Sequence, residues 1–201
     1  MSDVETPVAP VEPARRRVAP FVVLAVVVVL AAFFVVLATS SSGPKDKVGI
    51  VDSPLLGRVA PTVRSTTLDG VPFDLARRKG SWVVINFFNS TCGPCRAEHP
   101  ELVKFSEQQQ GFGDSGAELY TMLQINNDID AVNKFFSDNG GDWPIVRDDD
   151  GTTNVAFGVA LVPETFIVNP DGVVVLRWAG EIDSDTLSRL VQQQRDIYEA
   201  T

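Results

Sequence analysis

Cys92 and Cys95 enclose Gly93-Pro94 and are the only two cysteines of the 201-residue chain. Thiol-disulfide exchange needs a thiolate that attacks a disulfide sulfur and a second thiol that resolves the mixed disulfide, and a CxxC pair supplies both. Immediately upstream, Trp82 to Phe88 (WVVINFF) is a short apolar run rich in β-branched and aromatic residues, which reads as a buried central strand. Downstream, Arg96 to Gln110 sets Leu102 and Phe105 at helical spacing. The motif therefore falls at a strand-to-helix junction. There the free N–H groups and positive end of the helix dipole favour a thiolate, drawing Cys92 below the ordinary thiol pKa of about 8.5. Cys92 is the expected nucleophile, and Cys95, one turn into the helix, the expected resolving thiol. Pro94 suits the first turn, where a missing N–H costs nothing. Glu98 lies three residues beyond Cys95 on the same helix face. A carboxyl partly buried beside a thiol acquires a raised pKa suited to moving a proton near neutrality, the alternative being a solvated surface glutamate.

CxxC also occurs in zinc sites, but tetrahedral zinc takes four ligands and this chain has a single histidine, His99, so no metal site is expected. A locked structural disulfide is the remaining alternative for the pair. His99 reads as a helix-surface residue near the site whose charge could tune a thiolate.

The elements around the motif follow from pattern and punctuation. Thr66 to Phe73 carries an Asp69-Gly70 turn between short alternating arms, the mark of a hairpin. A strand is expected at Glu118 to Ile125, a helix at Ile129 to Asp138 stopped by Asn139-Gly140-Gly141, a strand around Pro144 to Arg147 and a short helix at Thr153 to Phe157. Thr165 to Val168 and Val173 to Trp178 flank Asn169-Pro170-Asp171-Gly172, a strong turn, and form an antiparallel pair. A last helix runs from Ser184, its expected N-cap, to about Ile197. Strands alternating with helices give an α/β sheet covered on both faces.

From Val18 to Ala38 the chain runs 21 residues without a charge, long enough to span a bilayer, and Arg15, Arg16 and Arg17 precede it. The positive-inside rule puts residues 1–17 in the cytoplasm as a disordered tail, 18–39 across the membrane as a signal-anchor, and the rest outside the cell. Residues 40–54 read as a linker and 55–199 as the exported domain. A cleaved signal peptide is the competing reading, disfavoured by the length of the apolar run. Residues 45–201 hold 14 Lys and Arg against 23 Asp and Glu, so the exported part is acidic and nucleic-acid binding is not expected.

The Trp82 to Phe88 strand, Cys92-Gly93-Pro94-Cys95-Arg96-Ala97-Glu98-His99-Pro100 and Val162-Pro163-Glu164-Thr165-Phe166-Ile167-Val168-Asn169-Pro170-Asp171-Gly172 together resemble the thioredoxin superfamily, specifically its membrane-tethered TlpA/ResA/CcmG type. The resemblance covers about residues 55 to 195 and implies a thioredoxin-like fold with an N-terminal β-hairpin and a central strand-helix insertion, at Glu118 to Arg147. It implies that Pro163 is a cis proline facing the CxxC loop, with Val162 offering backbone groups to an extended substrate segment; an ordinary trans turn proline is the alternative. It also implies that Glu98 is the family's acidic residue near the active site and that Glu164 is the second acidic residue of the CcmG branch, against a solvated surface role for each. Thr91 departs from the pattern, since the family carries Trp before the first cysteine.

By the same resemblance the chain is a thiol-disulfide oxidoreductase acting as a reductant, with no cofactor beyond the redox-active Cys92–Cys95 disulfide. Its expected partners are protein disulfides such as apocytochrome c and a membrane thiol donor of electrons, and a monomer is expected. An oxidase or general redox-maintenance role competes with this. A copper chaperone of the Sco type also competes, but it separates its cysteines by three residues and uses a distant histidine. A peroxiredoxin lacks support because its motif is absent.

Overall fold

The computed structural model describes residues 19–40 and 49–200, which fall in two units, the first within residues 1–45 and the second within residues 46–201. The first unit is a helix, α1 (Ala19–Ser40), of 22 residues without a charge, about 33 Å long at 1.5 Å per residue. Counted on the described side chains, which in this helix run from 20 to 35, no helix is long and apolar enough to cross a membrane. The expected tail at 1–17 and most of the expected linker, residues 41–48, lie outside the described residues.

The second unit is built on a six-stranded sheet. Its strands are β1 (Gly49–Ile50), β4 (Val83–Phe88), β5 (Glu118–Leu123), β6 (Ile145–Val146), β7 (Glu164–Val168) and β8 (Val174–Ala179), in the order β1-β8-β7-β4-β5-β6. β4, β5 and β6 run parallel, and β7 returns antiparallel to β4 and pairs with β8 as a hairpin. β2 (Arg64–Thr66) and β3 (Pro72–Asp74) form the separate N-terminal hairpin. The helices are α2 (Gly93–Gln110), α3 (Ile129–Asn139), α4 (Thr152–Phe157) and α5 (Ser184–Glu199). This is the expected mixed α/β thioredoxin-like architecture.

β4 is central because its side chains suit burial on both faces. Val84 and Phe88 pack with Cys95, Leu102 and Phe105 of α2 and Leu187, Leu190 and Val191 of α5. Val83, Ile85 and Phe87 pack on the other face with Phe73, Met122, Phe157 and Phe166. Phe87 and Phe88 are each at most 1% exposed, and burial of each side chain stabilises the fold by about 2–3 kcal/mol. The β7–β8 turn forms as its residues dictate: the Asn169 carboxamide oxygen accepts from the N–H groups of Asp171 and Val173, and Gly172 takes the left-handed φ of 82°.

Two local expectations are corrected. Gly49–Ile50, inside the expected 40–54 linker, is an edge strand on β8, pairing Gly49 with Ala179 and Ile50 with Trp178. The N-cap of α5 is Asp183, not Ser184; its carboxylate accepts from the Thr186 N–H at 2.8 Å. Both residue types cap helices well, but the Ser184 hydroxyl is drawn instead to Glu101 Oε2 of α2, at 2.9 Å.

Candidate active site

β4 ends at Phe88 and α2 begins at Gly93, so the intervening loop delivers Cys92 to the helix N-terminus. The Asn89 side chain accepts from both the N–H (2.9 Å) and the hydroxyl (2.8 Å) of Thr91. The Ser90 N–H donates to Asn127 Oδ1, while Asn127 Nδ2 donates to the carbonyls of Phe88 and Gln124. This polar scaffold from the end of the neighbouring parallel strand holds the loop. Cys92 is the N-cap of α2, in extended conformation, and its Sγ accepts from the Cys95 N–H at 3.1 Å. Pro94 follows at the second helical position, exposed like Thr91 and Gly93.

Cys92 and Cys95 are joined as a disulfide with Cα atoms 5.3 Å apart. Cys95 is 0% exposed, whereas Cys92 is only partly buried, so an incoming thiol or disulfide reaches Cys92 alone. The peptide bond between Val162 and Pro163 is cis, and the Val162 carbonyl oxygen lies 3.4 Å from Cys92 Sγ. Among the described residues no group accepts from the Val162 N–H. Val162 thus faces Cys92 across its cis bond to Pro163, and the resemblance supplied the only signal that it would.

Glu98 is 2% exposed, which excludes the solvated reading. Its Oε2 accepts from Asn86 Nδ2 at 2.9 Å and its Oε1 from the Ile182 N–H at 3.1 Å. Burial pushes its pKa up to about 8 against these two hydrogen bonds, with the nearby Glu181 charge adding to the rise. Glu98 therefore sits one turn beyond Cys95 in a form that is mostly protonated at neutral pH and readily ionised. Asn86, missed as a functional residue, was signalled by its position as the one polar residue inside WVVINFF.

Glu164 is placed differently. β7 alternates, so Thr165 shares the face of Asn86 and Glu98, while Glu164 shares the face of Phe166 and Val168. There Arg177 grips it with two hydrogen bonds, Nε to Oε2 at 2.8 Å and Nη2 to Oε1 at 3.0 Å. Oε1 also accepts from the Ala160 N–H, and Arg177 Nη2 donates to the Gly158 carbonyl. Glu164 is thus an anchor for the segment leading into Leu161-Val162-Pro163, not a carboxylate free to exchange protons with the cysteines.

His99 also departs from expectation. It is 1% exposed, enclosed by Phe135, Phe136 and Trp143, with Nε2 2.8 Å from the Gly140 carbonyl. Gly141 closes over it at a φ of 116°, where a Cβ would stand 3.2 Å from His99 Cε1. The contacts come from α3 and the segment after it, which the helical pattern of α2 alone does not reveal. Burial lowers the His99 pKa, so the native state resists a proton that the unfolded chain takes up below about pH 6.5. Its contribution to stability is lost as pH falls through that value. Glu98, whose folded pKa is raised, acts in the opposite sense by favouring the native state on acidification. The effect of His99 is therefore read by difference: His99→Phe should lose less thermal stability than the native chain between about pH 7.5 and about pH 5.5. Equal losses would refute this assignment.

The redoxin family model matches residues 55–193. The thiol:disulfide interchange protein HelX of Rhodobacter capsulatus is 32% identical over 140 residues, 68% of this chain and 75% of that protein. The thiol-disulfide oxidoreductase ResA of Bacillus subtilis is 31% identical over 119 residues, 59% of this chain and 64% of that protein. The crystal structure of the thioredoxin domain of a thiol-disulfide oxidoreductase from Bacteroides vulgatus aligns with a TM-score of 0.59 at 26% identity, covering 70% of this chain and 98% of that domain. With a CxxC disulfide capping α2 and matches of this extent, the chain belongs to the redoxin family, among its thiol-disulfide oxidoreductases of the ResA and DsbE type.

Proposed function

We infer that the chain is a membrane-tethered, extracytoplasmic reductase of protein disulfides. The observation that carries the redox reading is the Cys92–Cys95 disulfide capping α2, with the Val162 carbonyl oxygen 3.4 Å from Cys92 Sγ; the reducing direction is carried by the likeness to the ResA and DsbE type. The uncharged Val18 to Ala38 run behind three arginines supports the tether and the exported site.

In the forward reaction the Cys92 thiolate attacks a substrate disulfide and forms a mixed disulfide, releasing one substrate thiolate to take a proton from solvent. Cys95 then gives up its proton, with Glu98 as the buried acceptor, and attacks Cys92 Sγ. That step forms the Cys92–Cys95 bond and frees the second substrate thiolate. An extended substrate pairs with the unused Val162 N–H. Apocytochrome c, whose haem-attachment cysteines must be reduced, is the proposed substrate class, and a membrane thiol donor returns electrons to the monomeric domain.

Redox equilibration of the full chain tests the direction. A midpoint near about −270 mV or lower supports the reductant, and one near about −120 mV would make it an oxidase. Glu98→Gln tests the proton path: resolution should slow roughly a hundredfold near neutral pH, with loss of the limb of the pH-rate profile centred near pH 8. An unchanged profile would remove Glu98 from the mechanism.

A further inference from the structure

Glu98 accepts one N–H at each carboxyl oxygen, from Asn86 Nδ2 and from Ile182. That arrangement satisfies the ionised form. The protonated form carries an O–H that must donate, and a backbone N–H cannot accept it. The second hydrogen of Asn86 Nδ2 goes to Thr165 Oγ1 at 3.1 Å. Among the described residues Asn86 Oδ1, on a residue that is 0% exposed, has no hydrogen-bond partner. An unused acceptor and an acid proton without one therefore meet at the same side chain.

A half-turn of the carboxamide exchanges its oxygen and nitrogen with almost no change of shape. It would leave Oδ1 where Nδ2 now stands, 2.9 Å from Glu98 Oε2 and 3.1 Å from Thr165 Oγ1. Both are then hydroxyl donors, since the threonine O–H rotates freely between roles. The turn leaves the two N–H groups unpaired where one carbonyl oxygen is unpaired now, a cost set against the hydrogen bonds that the Glu98 and Thr165 hydroxyls then donate to Oδ1. The geometry points to Asn86 as a positioning residue whose amide turns over as Glu98 gains or loses its proton, donating to the carboxylate and accepting from the carboxylic acid.

This rests on the reading of Glu98 as proton acceptor for Cys95. A fixed donor would oppose each protonation of Glu98, and an apolar neighbour would oppose each ionisation; a reversible amide supports both. The neighbouring groups fit that division of labour. Cys95 lies one turn earlier on α2, and Glu181 approaches from the loop after β8 with a charge that raises the Glu98 pKa. Thr165 of β7 is uncharged, Thr121 of β5 is engaged by Trp143 Nε1, and His99 is turned into its aromatic enclosure.

The test is a pH titration of the full chain in detergent micelles, with asparagine side-chain nitrogens and glutamate carboxyl carbons labelled for NMR. Both Asn86 side-chain N–H protons should move upfield with the midpoint of the Glu98 carboxyl carbon, because both lose their acceptors together. If the proton directed at Thr165 stays in place through that midpoint, the amide does not turn and the proposal fails. Asn86→Leu, which keeps the bulk and neither hydrogen bond, should slow Cys95 resolution roughly tenfold on both sides of the midpoint. Slowing on the alkaline side alone would mark a fixed donor and overturn the proposal. A turning amide alongside an unchanged Glu98→Gln pH profile would overturn the catalytic reading of Glu98. A still amide alongside a changed profile would overturn the Asn86 proposal alone.

Discussion

Cys92→Ala is expected to reduce disulfide-reductase turnover by roughly a thousandfold or more, because it removes the one sulfur that a substrate can reach. Cys95→Ser should give a different failure. The nucleophile survives, but the buried group that resolves the mixed disulfide is gone, so substrate accumulates in covalent linkage to Cys92. Non-reducing electrophoresis of the two variants with a disulfide-containing protein separates these outcomes. A Cys95→Ser chain that turned over normally without a trapped adduct would exclude the two-thiol mechanism. The asymmetry follows from the fold: the helix N-terminus holds Cys92 at the surface, and the next turn carries Cys95 under the sheet, where its exposure is 0%.

Arg177→Met should lower the free energy of unfolding by about 3–5 kcal/mol, the range found when one partner of a buried ion pair is removed. The side chains of Arg177 and Glu164 are 15% and 4% exposed, so water cannot compensate the carboxylate left behind. Adding Glu164→Gln should recover much of the loss, since the isolated buried charge, rather than the missing attraction, dominates the penalty. Chemical denaturation of the two single variants and the double variant gives the coupling directly. A loss of under about 1 kcal/mol for Arg177→Met would mean that the pair behaves as a surface ion pair. Because the pair also holds the Gly158 carbonyl and the Ala160 N–H, substrate affinity should fall together with stability.

What the sequence disclosed and what it hid divide along a physical line. The strand-helix junction around Cys92, the Asn169 to Gly172 turn and the alternation of strands with helices are local, each set by residues within one turn or one arm. The α5 cap failed by one position because Asp183 and Ser184 are both good caps, and the choice lay with Glu101, more than 80 residues upstream. The Asn86–Glu98 and Asn86–Thr165 bonds bridge 12 and 79 residues, so no spacing rule reaches them. His99 was misplaced for the same reason: an exposed helix position and an aromatic enclosure differ only in what α3 brings alongside. Pro163 was reachable by family resemblance, and Glu164 shows the limit of that route. Resemblance located it beside the proline, but the two-residue alternation of β7 turned its carboxylate away from the cysteines.

That alternation has a consequence for how such a protein can change over time. The proposed proton path lies on the α2 face of the sheet, in Asn86, Glu98 and Thr165, while the ion pair that braces the segment leading into Val162 lies on the other, in Glu164 and Arg177. Substitutions on opposite sides share no hydrogen bonds, so their effects should add. On the proposed roles, redox behaviour and the choice of client can then drift independently, one altered without retuning the other.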